Sequence, residues 1–103
     1  MKLFEALANP LRRRALEELR RDSVTAGELA ARLGVQPSAL SQHLKLLKES
    51  GLVEAEHRGT ATVLHLSTTA VEEAARWILD LTRPREENEQ ADKPMTRSDD
   101  ESG

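Results

Sequence analysis

The chain of 103 residues has no cysteine and no tyrosine, and its only aromatic side chains are Phe4 and Trp77. Without thiols it can form neither a disulfide nor a thiolate metal or redox centre. No stretch approaches about 18 consecutive apolar residues, which a membrane-spanning helix requires. The N-terminus has one lysine and no long apolar run, so it does not read as a signal peptide. A soluble cytoplasmic protein is the expectation. The body also lacks an excess of either charge. Residues 1–83 carry 12 basic and 11 acidic side chains, and residues 84–103 carry 3 and 7. The net charge of −3 therefore comes from the tail. That says little against nucleic-acid binding, because phosphate contacts need a local basic face and not a basic total.

From Pro84 onward, PREENEQADKPMTRSDDESG shows no periodicity and is mostly charged or polar. Such a segment buries too little to order itself, so residues 84–103 are expected to be a disordered acidic tail. Residues 1–83 are then a single domain. With roughly 80 foldable residues, a lone core supplies only about 3–5 kcal/mol, and oligomerisation is one ordinary remedy.

The body reads as helices with one hairpin. A short first helix holds Leu3, Phe4 and Leu7. Asn9-Pro10 is an N-cap followed by proline at the first helical position, ahead of Leu11, Ala15, Leu16 and Leu19. Thr25 and Glu28 have capping-box spacing at the head of a short third helix that Gly34 stops. Pro37 opens a fourth helix and Gly51 closes it. The period then changes to two. A turn at Gly59-Thr60 puts Val53, Ala55, Leu64 and Leu66 on one hairpin face, with Glu54 opposite His65 on the other. Thr69 and Glu72 repeat the capping-box pattern before a last helix running to about Thr82. Its stripe is Val71, Ala74, Ala75, Ile78 and Leu81, with Trp77 at the rim.

The fourth helix, PSALSQHLKLLKE, is the informative one. At about 100° per residue, Leu40, Leu44 and Leu47 fall on one side, with His43 at their boundary. Ser38, Ser41, Gln42, Lys45 and Glu49 fall on the other. Solvated helix faces are usually rich in long charged side chains, whereas short hydroxyls and amides favour caps and turns. They do suit close presentation of donors and acceptors. Glutamine pairs with an adenine edge in the major groove, serine with several bases, and lysine with phosphate or guanine. A short capped helix, a turn at Gly34-Val35-Gln36 and then this amphipathic helix make a helix-turn-helix, whose second helix enters the major groove. The hairpin that follows makes it winged. Its tip, His57-Arg58-Gly59-Thr60, places Arg58 and Thr60 where they can reach a flanking phosphate or the minor groove.

LANPLRRRALEELR and TAGELAARLGVQPSALSQHLKLLKESGLVEAEHRGT resemble the ArsR (arsenic-repressor) family of winged helix-turn-helix transcriptional regulators, over about residues 3–82. The resemblance implies a mostly α fold of five helices with a small β-hairpin wing. It also implies a homodimer on an inverted-repeat operator, usually repressing transcription. The family's DNA-reading positions fall on Gln36, Ser38, Ala39, Ser41, Gln42 and His43, with Lys45 and Arg58 as phosphate contacts and Thr60 beside them. The family dimerises through its first and last helices. Those helices carry surplus apolar stripes here, namely Leu3, Phe4 and Leu7, then Val71, Ala74, Ile78 and Leu81.

The departures bear on mechanism. Many members sense metal through Cys-x-Cys on the helix before the turn, which here reads TAGELAARL. Others use Asp and His on the last helix, which here has no histidine. Glu72, Glu73 and Asp80 alone do not make a tight zinc site, and His57 and His65 face opposite ways on the hairpin. No metal and no cofactor is therefore implied, and the signal is left to an unidentified small molecule, a protein partner, or nothing except the protein's own concentration. Arg12, Arg13 and Arg14 span roughly 200° of a helix, so they form no single patch. The expectation is solvation or pairing with acids such as Glu17 and Glu18. Two other functions compete. A winged-helix docking module would show large apolar or aromatic anchors on its recognition face. An enzyme would need a nucleophile and base together, and Ser41 and His43 point about 160° apart on one helix.

Overall fold

The computed structural model describes residues 2–84. Along them run α1 (Lys2–Leu7), α2 (Pro10–Arg21), β1 (Val24–Thr25), α3 (Ala26–Leu33), α4 (Pro37–Glu49), β2 (Val53–Arg58), β3 (Ala61–Leu66) and α5 (Thr68–Asp80). The helix starts have local causes. Asn9 Oδ1 accepts the N–H groups of Leu11 at 2.8 Å and Arg12 at 3.2 Å, and Pro10 fills the first helical position. At α3, Thr25 Oγ1 accepts the Glu28 N–H at 3.2 Å while the Glu28 carboxylate accepts the Thr25 N–H at 2.9 Å. The Thr25 N–H first, and then the Thr25 hydroxyl, which donates to the same carboxylate oxygen at 3.1 Å, hold the Glu28 carboxyl below its usual range. Gly34 then adopts a φ of 71°, a left-handed conformation that costs glycine little. It lets the Val35 N–H reach the Ala30 carbonyl at 3.0 Å and turns the chain into α4.

The hairpin has the expected register, pairing Val53 with Leu66, Glu54 with His65, Ala55 with Leu64 and Arg58 with Ala61. Only part of its apolar face is buried. Val53 and Leu64 are buried, Leu66 is half-buried and Ala55, nearer the tip, is exposed. The sheet is larger than the hairpin, because β1 pairs with β3 to give the order β1-β3-β2, with Val24 opposite Leu64. A two-residue strand is too short to show an alternation in sequence. The start of α5 also differs from expectation. Its cap is Ser67, not Thr69, and Ser67 Oγ accepts the Ala70 N–H at 3.4 Å. The Ser67 N–H bonds to the Leu52 carbonyl at 2.9 Å, so the helix begins as soon as the sheet ends. The regular helix stops at Asp80, short of Thr82.

Leu29, Leu40, Leu47, Leu52, Val53 and Leu64 are the largest fully buried side chains. Among the described residues no polar or charged side chain is buried, so apolar area carries the core, at about 25 cal/mol per Å². Of the residues expected at a dimer interface, Leu3 and Ala74 are buried in the protomer's own core, and Phe4 and Leu7 are half-buried against it. Val71, Ile78 and Leu81 are exposed, as are Trp77 and Leu79. The Trp77 ring lies 5.5 Å from that of Phe4, tilted by 54°. The expected acidic tail lies, beyond Pro84, outside the described residues. No described helix is long and apolar enough to cross a membrane.

Thr25→Ala removes the hydroxyl half of the capping box and is expected to cost about 1 kcal/mol in urea unfolding. The Glu28 titration midpoint, followed by NMR, should rise part of the way toward the usual value near 4.5, since the backbone bond persists. The folded value is depressed, so this contribution to stability is present above the unfolded value and is lost as pH falls through the folded one. An unmoved Glu28 midpoint in the variant would refute the hydroxyl as a cause.

Candidate nucleic-acid interface

Burial of Leu40, Leu44 and Leu47 sets the rotation of α4 about its axis. Ser38, Ala39, Ser41, Gln42 and Lys45 are left exposed, and His43 is half-buried at the edge. Ser38, Ala39, Gln42, His43 and Leu46 line one groove of about 440 Å³ together with Arg12 of α2. Gln36 is the N-cap residue of α4 and is exposed, but its side chain makes no capping bond. Pro37 has no N–H, and the Ala39 and Leu40 N–H groups bond to the Gln36 carbonyl at 3.0 and 3.1 Å, so the first turn of α4 keeps the Ser38 N–H as its free backbone donor at the positive end of the helix dipole.

Charge on this face is settled by a contact that helical spacing does not reveal. Glu49 shares the reading side of α4, where a bare carboxylate would repel phosphate. Lys2 of α1 reaches it, with Nζ 3.0 Å from Oε1. That hydrogen bond, and then the lysine's charge, lowers the Glu49 carboxyl. Lys45 and Lys48 are both exposed.

At the wing, Arg58 and Thr60 are exposed, but Arg58 is occupied. Its Nη2 donates to Glu56 Oε1 at 3.0 Å. The same oxygen meets His65 Nε2 at 2.8 Å, and His65 Nδ1 lies 2.7 Å from Ser23 Oγ. His65 therefore pairs diagonally with Glu56 and not with Glu54, its directly opposite neighbour. A diagonal partner on the same face is within reach of a long side chain. The Glu56 carboxyl is lowered first by Arg58 and then by His65, and Arg58 is correspondingly raised.

In the arginine run Arg13 and Arg14 are exposed, as expected, and Arg12 is half-buried. None of the three pairs with Glu17 or Glu18. Arg12 and Arg13 donate to the carbonyls that end α1, Arg12 Nε to Ala6 at 2.8 Å, Arg12 Nη2 to Glu5 at 2.9 Å and Arg13 Nη1 to Leu7 at 2.7 Å. Arg14 Nη2 approaches the Leu33 carbonyl at 3.4 Å, at the end of α3. The last carbonyls of a helix have no partner within it and carry partial negative charge, so guanidinium groups satisfy them well. Arg12 and Lys2 are the two residues of this surface that the sequence reading missed. Both act across long sequence separations, and no local pattern marks them.

Comparison with known proteins gives the same picture. A helix-turn-helix domain model matches residues 7–56. The transcriptional repressor SdpR of Bacillus subtilis is 29% identical over 77 residues, which are 75% of this chain and 86% of that protein. The transcriptional activator HlyU of Vibrio cholerae is 39% identical over 69 residues, 67% of this chain and 64% of that protein. A solved structure of HlyU from Vibrio cholerae superposes with a TM-score of 0.64 at 35% identity, covering 78% of this chain and 87% of that one. An ArsR-like transcriptional regulator from Rhodococcus sp. RHA1 gives a TM-score of 0.75 at 31% identity, over 79% and 74% of the two chains.

Glu56 competes with any phosphate for Arg58. Glu56→Ala is therefore expected to tighten binding to a random-sequence duplex by about two- to fivefold. Fluorescence anisotropy at fixed salt measures it. Unchanged or weaker binding would show that Arg58 does not contact the duplex.

Proposed function

The chain belongs to the ArsR family of helix-turn-helix transcriptional regulators, and on that premise we propose that it represses transcription as a homodimer on an inverted-repeat operator. The observation that carries this reading is the exposed face of short polar side chains on α4, set opposite a buried leucine row and flanked by a wing. In this reading α4 lies in the major groove, and Gln36, Ser38, Ala39, Ser41, Gln42 and His43 approach base edges. Lys45, Arg58 and Thr60 contact the backbone. The relatives include a repressor and an activator; repression follows the repressor, which is matched over most of its own length. The face of α4 offers no large aromatic anchor of the kind a docking module would use.

A second copy accounts for the α5 surface. Val71, Trp77, Ile78, Leu79 and Leu81 are 39–68% exposed in the protomer. A groove of about 200 Å³, lined by Leu7, Leu52, Val71, Ala74, Ala75 and Ile78, runs beside them and is almost wholly apolar. Clustered apolar exposure of this kind marks an association surface. Two such faces meeting about a two-fold axis would give two reading helices with the symmetry of an inverted repeat.

Selection of bound duplexes from a random-sequence pool by the purified full chain should enrich an inverted repeat. Absence of any enriched sequence would overturn sequence-specific reading. On the selected duplex, Gln42→Ala should cost about 1–3 kcal/mol and relax preference at one position per half-site. Lys45→Ala should weaken selected and random duplexes alike and lower the salt slope by about one. A changed base preference with an unchanged slope would contradict the role given to Lys45.

The dimer is tested separately. Ile78→Asp should convert a dimer to a monomer in sedimentation equilibrium with the fold retained by circular dichroism. A wild-type chain that is already monomeric at micromolar concentration would contradict the assignment of this face.

A further inference from the structure

Arg12 does more than cap α1. While Nε and Nη2 hold the Ala6 and Glu5 carbonyls, its Nη1 lies 3.1 Å from Nδ1 of His43, on α4. A guanidinium has only donors. Nδ1 must therefore offer its lone pair, and the single proton of the neutral imidazole sits on Nε2. The planar fork is fixed by the two carbonyl bonds, so its third bond fixes the plane of the imidazole as well as its tautomer. Among the described residues Nε2 takes no hydrogen bond, and His43 lines the same groove as Ser38, Ala39 and Gln42.

We propose that Arg12 is a positioning residue for DNA reading, holding His43 as the Nε2–H tautomer so that α4 presents a fixed donor to an acceptor on a base edge. This rests on the reading of α4 as the helix that enters the major groove. The acceptors available there are guanine O6 and N7, adenine N7 and thymine O4, and a fixed donor discriminates against the amino groups of cytosine and adenine. With Nδ1 protonated instead, His43 would point a lone pair at the base and the preference would invert. Arg12 itself touches no base in this scheme. It acts from α2 through His43, with the end of α1 as its anchor.

The first test needs no DNA. Long-range ¹H–¹⁵N NMR of the full ¹⁵N-labelled chain at mildly alkaline pH separates the two tautomers, with His43 assigned from a His43→Gln sample. The expected result is an unprotonated Nδ1 in the wild type and a mixture of tautomers in Arg12→Lys, which keeps the charge and loses the fork. A protonated Nδ1 in the wild type, or a tautomer that Arg12→Lys leaves unchanged, overturns the proposal. The second test uses the duplex enriched from the random pool against a scrambled one. Arg12→Lys should lose about three- to tenfold in the ratio of the two affinities, with little change on the scrambled duplex.

His43→Gln, whose amide nitrogen reaches the place of Nε2, should keep more of that ratio than His43→Asn, which falls short. The reverse order, or an equal loss on both duplexes, overturns the base-edge role. If Arg12→Lys does not fold, the wild-type tautomer and the two His43 variants decide. If no sequence is enriched at all, the major-groove reading fails and the base-edge donor fails with it, while the NMR result still shows whether Arg12 sets the tautomer.

Discussion

Everything on the reading surface depends on the row Leu40, Leu44 and Leu47, buried to 6% exposure or less. A helix inserted in a core by three leucines at i, i+4 and i+7 has one favourable rotation. Turning it by a third of a revolution would expose the leucines and bury Ser41 or Gln42 without partners, at a cost of roughly 1–3 kcal/mol for each stranded polar group. The donors and acceptors of α4 are therefore placed by apolar packing on the opposite side. The same packing explains why the face can afford short side chains with little helix propensity of their own. Their contribution to α4 is small beside that of the leucines, and the helix forms because its other side is buried.

Electrostatics on this surface is a matter of pairing more than of total charge. The protein carries more acidic than basic side chains, yet two acids at the proposed DNA face, Glu49 and Glu56, are each engaged by a cation. Glu49 is held by Lys2, and Glu56 by Arg58 together with His65. These pairs are solvent-exposed, so each is worth little as stability. Their consequence is different at the two places. Lys2 masks a carboxylate that cannot leave the reading helix. Glu56 masks an arginine, and it must be displaced before that arginine can meet a phosphate. If α4 and the wing contact DNA as proposed, the two pairs would push affinity in opposite directions, and the wing pair would give binding a term that depends on what Glu56 does when Arg58 leaves. Its second partner, His65, stays within reach on the same sheet face, so the carboxylate keeps a hydrogen bond after Arg58 has gone.

The parts legible in sequence were those encoded by local periodicity. The leucine side of α4, the register of the β2–β3 hairpin and the Thr25–Glu28 box each follow from spacing within one element or one turn. What was not legible depends on which residues the fold brings together. Arg12 and His43 are 31 positions apart, and the acids one turn along the same helix, Glu17 and Glu18, are spaced for Arg13 and Arg14. Arg12 and Arg13 turn instead to the carbonyls at the end of α1, which have spare acceptor capacity. Strand β1 was hidden by its length, and its existence is decided by the free edge of β3. At the head of α5, Ser67, Thr68 and Thr69 are three adjacent hydroxyl residues, any of which can cap. The sheet selects Ser67 by ending its ladder there. In each case the sequence permits several local solutions and a tertiary contact chooses among them.

The short helix α1 is where these tertiary contacts converge. It has six residues, too few for an isolated helix to persist in water, so its place is dictated by what it docks against. Lys2 ties its beginning to Glu49 near the end of α4, and Arg12 ties its last carbonyls to His43 in the middle of α4. Phe4, between these two attachments, meets Trp77 of α5. The helix is thus in contact with the reading helix at two points and with the exposed apolar face of α5 at a third. A second copy that covers the α5 face would order α1 further by burying the Phe4–Trp77 pair. In the proposed dimer, that ordering would reach Arg12 through the Glu5 and Ala6 carbonyls, and His43 through Arg12. On the proposed reading, one hydrogen-bonded guanidinium would then link association to base reading, and by reciprocity DNA that engaged His43 would favour association to the same extent.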